Sequence, residues 1–304
     1  MLPPSGDQFE ISFADQHATV VEVGGGLREY RVGDRDVLEP YALGEMCDGA
    51  HGAPLIPWPN RLADGRYQFD GTDFQTGLTE PDKHNAIHGF LRWRAWQAVE
   101  IDDDCVIMAT TLFPMQGFPF SLDVRIEYRL NDDGLSVTTT ATNVGDRPAP
   151  YGSGQHPYLS PGPGLIDSCR LQLRAETRIL TDPDRQLPVG LEAVAGTPFD
   201  FREERTLGDL KIDYAFTDLH RDDSGRAWVR LTGADDRTVE LWVDDTYPII
   251  ELFTGDTLAA SRRRHGLGTE PMTCPPNAFQ TGDQVVRLEP GEAATSRWGV
   301  TLTP

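Results

Sequence analysis

The sequence predicts an all-β protein, a large antiparallel β-sandwich, and three observations lead there. Apolar and polar residues alternate along many short segments, helical periodicity is scarce, and the 30 glycines and 23 prolines fall mostly between the alternating segments. Alternation sends successive side chains to opposite faces, so each such segment buries one face and leaves the other wet.

The expected strands follow in chain order. The first pair occupies 9–13 and 18–23. Gly24-Gly25-Gly26 comes next, and no helix-like segment follows it, so these glycines read as a bulge or turn rather than a dinucleotide-binding loop. Asp70-Gly71 after Tyr67-Gln68-Phe69 marks a hairpin. Strands are expected at 105–112, 124–130 and 135–142, with Asn131-Asp132-Asp133-Gly134 as the hairpin joining the last two. Others fall at 171–173, 228–231, 239–243, 249–254 and 298–302. Leu207-Gly208-Asp209-Leu210 reads as one short helical turn. With no linker, repeat or low-complexity tract, residues 1–304 read as one domain.

Composition excludes several function classes. With 48 acidic against 27 basic residues, the formal charge is -21, a field that repels nucleic acid. Four widely spaced cysteines, Cys47, Cys105, Cys169 and Cys274, form no CxxC pair, which argues against a cysteine zinc site and for free thiols in a reducing compartment. Neither a signal-peptide pattern nor an apolar run of about 18 residues is present, so a cytoplasmic protein with no membrane partner is expected.

Four segments break the strand rhythm. In Pro57-Trp58-Pro59-Asn60-Arg61 two prolines set a rigid path that can hold Trp58 against a sugar face and Arg61 against hydroxyls. Alone, it reads rather as a proline-shaped turn whose arginine pairs with a surface carboxylate. Asn85-Ala86-Ile87-His88-Gly89 carries a histidine able to donate to an oxygen or to move a proton; a histidine bonded to backbone is the bland alternative. Gly152-Ser153-Gly154-Gln155-His156-Pro157-Tyr158 combines small residues, which allow close approach of a ligand, with a second histidine held by Pro157. Gly268-Thr269-Glu270-Pro271-Met272-Thr273 places a glutamate in an uncharged stretch. Partial burial there would raise its pKa into a range useful for proton transfer.

Taken together and in order, these segments resemble the aldose 1-epimerase family. The matching pieces are Pro59-Asn60-Arg61 with Asp64-Gly65, Asn85-x-x-His88-Gly89, His156-Pro157-Tyr158, Ile212-Asp213-x-x-Phe216, Glu270-Pro271-Met272-Thr273 through Asn277-Ala278-Phe279, and the closing Leu288-Glu289-Pro290-Gly291-Glu292. The resemblance runs from about residue 10 to the C-terminus. It implies a galactose mutarotase-like supersandwich with a sugar in a cleft over one sheet. By motif, Glu270 corresponds to the general base, His156 to the general acid and His88 to a second active-site histidine. Arg61 and Asp213 match substrate-binding positions, and Asn85 and Trp58 are expected as pocket neighbours on adjacency. The implied reaction interconverts the α and β anomers of a free aldohexose such as galactose or glucose, with a small-molecule sugar as partner, in a monomer or homodimer. It requires no metal, nucleotide or covalent nucleophile.

Three alternatives stay open at the level of sequence. A hexose-6-phosphate 1-epimerase would use a basic clamp, for which Arg262-Arg263-Arg264 is the dense cluster. A non-catalytic carbohydrate-binding protein on the same fold would need neither acid nor base. A glycoside hydrolase would need paired carboxylates, and only Glu270 and Asp213 stand out in these loops. A metal site built from His51, His84 and His88 has irregular spacing.

Overall fold

A computed structural model describes residues 2–304. The strands assemble into two large antiparallel sheets, one of twelve strands and one of nine, with three small two-stranded ribbons. The nine-stranded sheet contains the longest hairpin, Leu122–Asn131 paired with Gly134–Asn143. Leu122, Val124, Ile126, Tyr128 and Leu130 point inward and are fully buried, while Asp123, Arg125, Glu127 and Arg129 face outward. Asn131 pairs with Gly134, so the connection is the two-residue turn Asp132-Asp133 expected from sequence. Asp70 and Gly71 join Arg66–Phe69 to Thr72–Gln75, and both hold positive φ, as a hairpin turn matching strand twist requires.

The sheets pack face to face over one continuous apolar cluster that runs from Ile11 to Val300. At the centre of the twelve-stranded sheet lie Asp213–Leu219, Ile249–Phe253 and Leu267–Met272, in neighbouring register. Phe216, Ile250, Leu252 and Leu267 join the core between the sheets. The opposite face carries Ala215, Ile249 and Met272, which form a second apolar cluster with Ile179, and on that face stand Glu251 and Glu270. Loops cover this outer face, so Ile249 through Leu252 are buried on both sides. That is why the strand reads as an apolar run interrupted by a single acid.

Two local expectations change. Residues 207–210 form a turn closed by the Leu210 amide on the Leu207 carbonyl at 3.3 Å rather than a helix, because Gly208 takes a left-handed φ of 59°. The one α-helix among the described residues is Ala278–Thr281, too short to carry a 3.6-residue pattern. The second strand starts and ends two residues earlier than the alternation suggested: Gln16–Val21 stops where the amide of Val21 bonds the carbonyl of Gly26, closing the glycine turn.

Truncating one inward side chain should therefore cost far more than altering an edge residue. Ile126→Ala is expected to lower the unfolding free energy by about 2–5 kcal/mol. Val189→Thr, on an exposed edge strand, should stay within about 0.5 kcal/mol. Urea titration of the two variants checks the difference.

Candidate active site

The site is assembled from loops that meet over the outer face of the twelve-stranded sheet. Arg61–Ala63 pairs with Asn85–Ile87 in antiparallel register, Arg61 opposite Ile87, so one end of this ribbon delivers both Arg61 and, one residue on, His88. His88 and Asn60 exchange two hydrogen bonds. The His88 amide donates to the Asn60 carbonyl at 3.0 Å, and the Asn60 amide donates to His88 Nδ1 at 3.1 Å. With Nδ1 accepting, the neutral ring carries its proton on Nε2, a fixed donor for the cleft. His88 and Gly89 both hold φ of 61°. A Cβ on Gly89 would sit 2.0 Å from the Ile56 carbonyl oxygen, so only glycine lets the chain turn here.

His156 leaves the Gly154–Gln155 bridge region with its amide bonded to the Ala53 carbonyl. Its ring stacks on Tyr158 at 4.9 Å, and Tyr158 in turn stacks on His51 at 3.7 Å. The Tyr158 hydroxyl donates to the Gly49 carbonyl, which fixes the stack from behind. Glu270 rises from the centre of Leu267–Met272. Its Oε1 lies 3.1 Å from His156 Nε2, and both side chains are about 95% buried. His156 Nδ1 and Glu270 Oε2 have no protein partner. The His88 ring meets the His156 ring edge-on at 5.5 Å. One donor atom each from His88, His156 and Glu270 falls within 4.8 Å of the other two. A single proton between Glu270 and His156 satisfies that pair without an ion.

The cleft over this trio encloses about 390 Å³, within the range of small-molecule sites. Arg61 and Asp213 line it, as expected. Arg61 makes a two-pronged pair with Glu80, Nε to Oε2 at 3.0 Å and Nη2 to Oε1 at 3.2 Å. Asp213 opens the strand Asp213–Leu219 and accepts from the Gln186 amide, whose oxygen takes the Lys83 ammonium. Asn85 and Trp58 are not among the lining residues. Asn85 stands behind Arg61, its amide donating to Glu80 and to the Arg185 carbonyl. Trp58 is packed in the apolar core against Phe90 and Phe279. Among the lining residues that escaped the sequence reading are Glu80, Lys83, Arg92 and Gln186. The first two share the charged stretch Glu80-Pro81-Asp82-Lys83, a signal that could have been followed. Arg92 makes no ion pair among the described residues, and its guanidinium lies over the ring of Trp93. His51 and His84 do not join His88 in a donor cluster: His51 lies behind Tyr158, and His84 is exposed at the surface.

Burial dominates the electrostatics. It holds His156 down to about 3, with His51 adding to the effect, and pushes His88 well below the ordinary histidine value. It pushes Glu270 well above the ordinary carboxyl value; Asp213 reinforces this and Arg61 opposes it. The pair therefore rests with its shared proton on the glutamate side. Moving that proton across the 3.1 Å contact yields a carboxylate beside an imidazolium. This arrangement thus has the proton count of a base and an acid placed together.

A sequence profile of the aldose 1-epimerase family matches residues 7–301. The chain belongs to the aldose 1-epimerase family. It is accordingly a carbohydrate isomerase with a sugar as small-molecule substrate. Family members among similar proteins include the Escherichia coli K12 aldose 1-epimerase, 30% identical over 72% of this chain and 66% of that protein. The E. coli K12 uncharacterized protein YihR is 33% identical over 95% of this chain and 91% of its own. Among solved structures, the GalM/aldose epimerase homologue of C. elegans superposes with a TM-score of 0.86 at 20% identity, covering 98% of each chain. The galactose 1-epimerase of Lactobacillus acidophilus gives 0.80 at 20% identity, covering 96% of this chain and 92% of that one. These folds match the galactose mutarotase-like supersandwich. Among the described residues no helix is long and apolar enough to cross a membrane.

The buried histidines carry a stability consequence. His51 is held down to about 3 by burial and by Arg262. A depressed histidine stabilises the fold above its ordinary value near 6.5, and this contribution is lost as pH falls toward about 3. Over that window His51 should contribute a slope of about 1.4 kcal/mol per pH unit. Denaturant unfolding measured from pH 7 to pH 4 should show the slope of His51→Gln reduced by about one proton relative to wild type.

Proposed function

We propose that the chain is an aldose 1-epimerase (mutarotase) acting on a free aldohexose such as galactose or glucose, working in the cytoplasm as a monomer or homodimer. The close Glu270–His156 contact, 3.1 Å between Oε1 and Nε2, carries this reading, because anomer exchange needs one base and one acid that differ by a single proton. In the carboxylate–imidazolium form, Glu270 takes the proton of the C1 hydroxyl while His156 gives its proton to the ring oxygen. The C1–O5 bond breaks and C1–O1 becomes a carbonyl. After rotation about C1–C2, the C5 hydroxyl attacks the other carbonyl face, its proton returns to His156, and Glu270 returns the first proton to O1. No proton is gained or lost over the cycle.

The remaining residues divide by geometry. His88 presents its Nε2 proton to a sugar oxygen near the ring. Arg61 and Asp213 take the hydroxyls farther from C1. A pure binding role leaves the buried Glu270–His156 pair unexplained, since the desolvation of two titratable groups is a cost that binding alone does not require. A phosphorylated hexose is the second reading, and Arg92 favours it: its half-buried guanidinium lines the cleft and makes no ion pair among the described residues. The arginine triplet lends no support. Arg264 is committed to Asp167 and Asp256, and Arg262 reaches Glu45 and His51.

Polarimetry on freshly dissolved α-D-galactose, α-D-glucose and glucose 6-phosphate tests the proposal. Wild type should shorten equilibration of a free hexose. Glu270→Gln and His156→Gln should each lose about 10²- to 10⁴-fold of that rate with folding intact. Acceleration confined to the phosphorylated sugar would move the assignment to the second reading. No response to any of them would sink it.

A further inference from the structure

Glu251 is a buried acid that the reaction above does not use. It is 3% exposed, sits mid-strand, and is paired in register with Glu270 on one side and Ala215 on the other. Residues directly opposite across antiparallel strands hold their Cβ atoms about 4.5–5.5 Å apart. Asp213 shares this sheet face two positions from Ala215, and its carboxyl is in hydrogen-bonding reach of Glu251. Three carboxyl groups thus crowd one buried surface. Arg61 is the cation that faces them, and its guanidinium is already forked onto Glu80. Lys83 is likewise turned to Glu80, at 3.3 Å. The apolar side chains of Ile179, Ala215, Ile249 and Met272 close the sheet face around the cluster.

Two carboxyl groups in contact cannot both ionise in such a setting, and a contact between two acceptors becomes a hydrogen bond only when one holds a proton. Glu251 is the one placed to hold it. It does not line the cleft, whereas Asp213 and Glu270 do. Burial, Asp213 and Glu270 all push it well above the ordinary carboxyl value.

We propose that Glu251 is a positioning residue that stays protonated in the working enzyme and donates to Asp213, fixing Asp213 as the anion that meets the sugar and leaving the catalytic proton to Glu270 and His156. This rests on the mutarotase reading for its kinetic consequence, but not for the protonation itself. Loss of a hydrogen bond to a charged group is worth roughly tenfold or more in binding.

Glu251→Gln keeps a neutral donor of the same shape, and Glu251→Leu removes it. Infrared difference spectra at neutral pH, wild type against Glu251→Gln, should show a protonated-carboxyl C=O band that the variant lacks. In sugar kinetics, Glu251→Gln should retain kcat/KM within about threefold. Glu251→Leu should raise KM about tenfold or more while kcat changes far less, because Asp213 loses its donor. An absent band, or a Gln variant as impaired as the Leu variant, overturns the proposal, as does a Leu variant with the wild-type KM. Should the Leu variant fail to fold, the band and the Gln variant still decide. Should wild type accelerate no mutarotation, the proposed function fails while the infrared band still reports on Glu251.

Discussion

The site depends on one constraint: ionisable groups sit on the outer face of a sheet whose other face is the protein core. A carboxyl group placed there cannot reach bulk water, so its proton must be shared with a neighbour. Glu270 shares with His156 at 3.1 Å. Burial shifts the two in opposite directions, the acid upward and the imidazole downward. Neither shift alone suits catalysis near neutrality. Together they keep one mobile proton inside the pair, and proton relocation then depends on what a bound sugar offers to either side.

The surrounding shell fixes where that proton can go. The Asn60 amide occupies His88 Nδ1, which dictates the tautomer the cleft meets. The ring stack of His51, Tyr158 and His156 holds the acid's plane, with Tyr158 anchored to the Gly49 carbonyl. At Gly268 a Cβ would lie 3.2 Å from Phe253 Cβ and 3.4 Å from His156 Cε1, so the strand passes in close contact beneath the imidazole. Preorganisation of this kind removes reorganisation from the reaction step, the usual origin of large electrostatic contributions.

Much of this was legible in the sequence, for identifiable reasons. The strands at 105–112 and around 124–142 were readable because one face is wet, which keeps the alternation clean. His88, His156 and Glu270 stood out as polar residues among glycines and prolines, and the family resemblance ordered them. Adjacency misled at Trp58 and Asn85. Neighbours in a chain need not share a face, and the ribbon that aims Arg61 at the cleft turns Asn85 behind it. Gln186 was out of reach because its loop lies 103 residues beyond Lys83 and 27 before Asp213, and only the fold brings it between the two. Glu251 was hidden differently: inside Ile249-Ile250-Glu251-Leu252-Phe253 it looks like a blemish in a strand, and only the pairing with Glu270 gives it meaning.

Placing Glu270 on a central strand also ties the proposed chemistry to register. Glu251 and Glu270 share a face because Ile249–Phe253 and Leu267–Met272 are aligned residue against residue. A one-residue slip of the second strand would send Glu270 into the apolar core and bring Thr269 or Pro271 to the cleft. Such a slip is opposed by Leu252 and Leu267 on the core face, whose burial would be lost with it. The inter-sheet packing, far from any sugar, is therefore what holds the base within reach of His156, and a loop-mounted glutamate would have no comparable restraint.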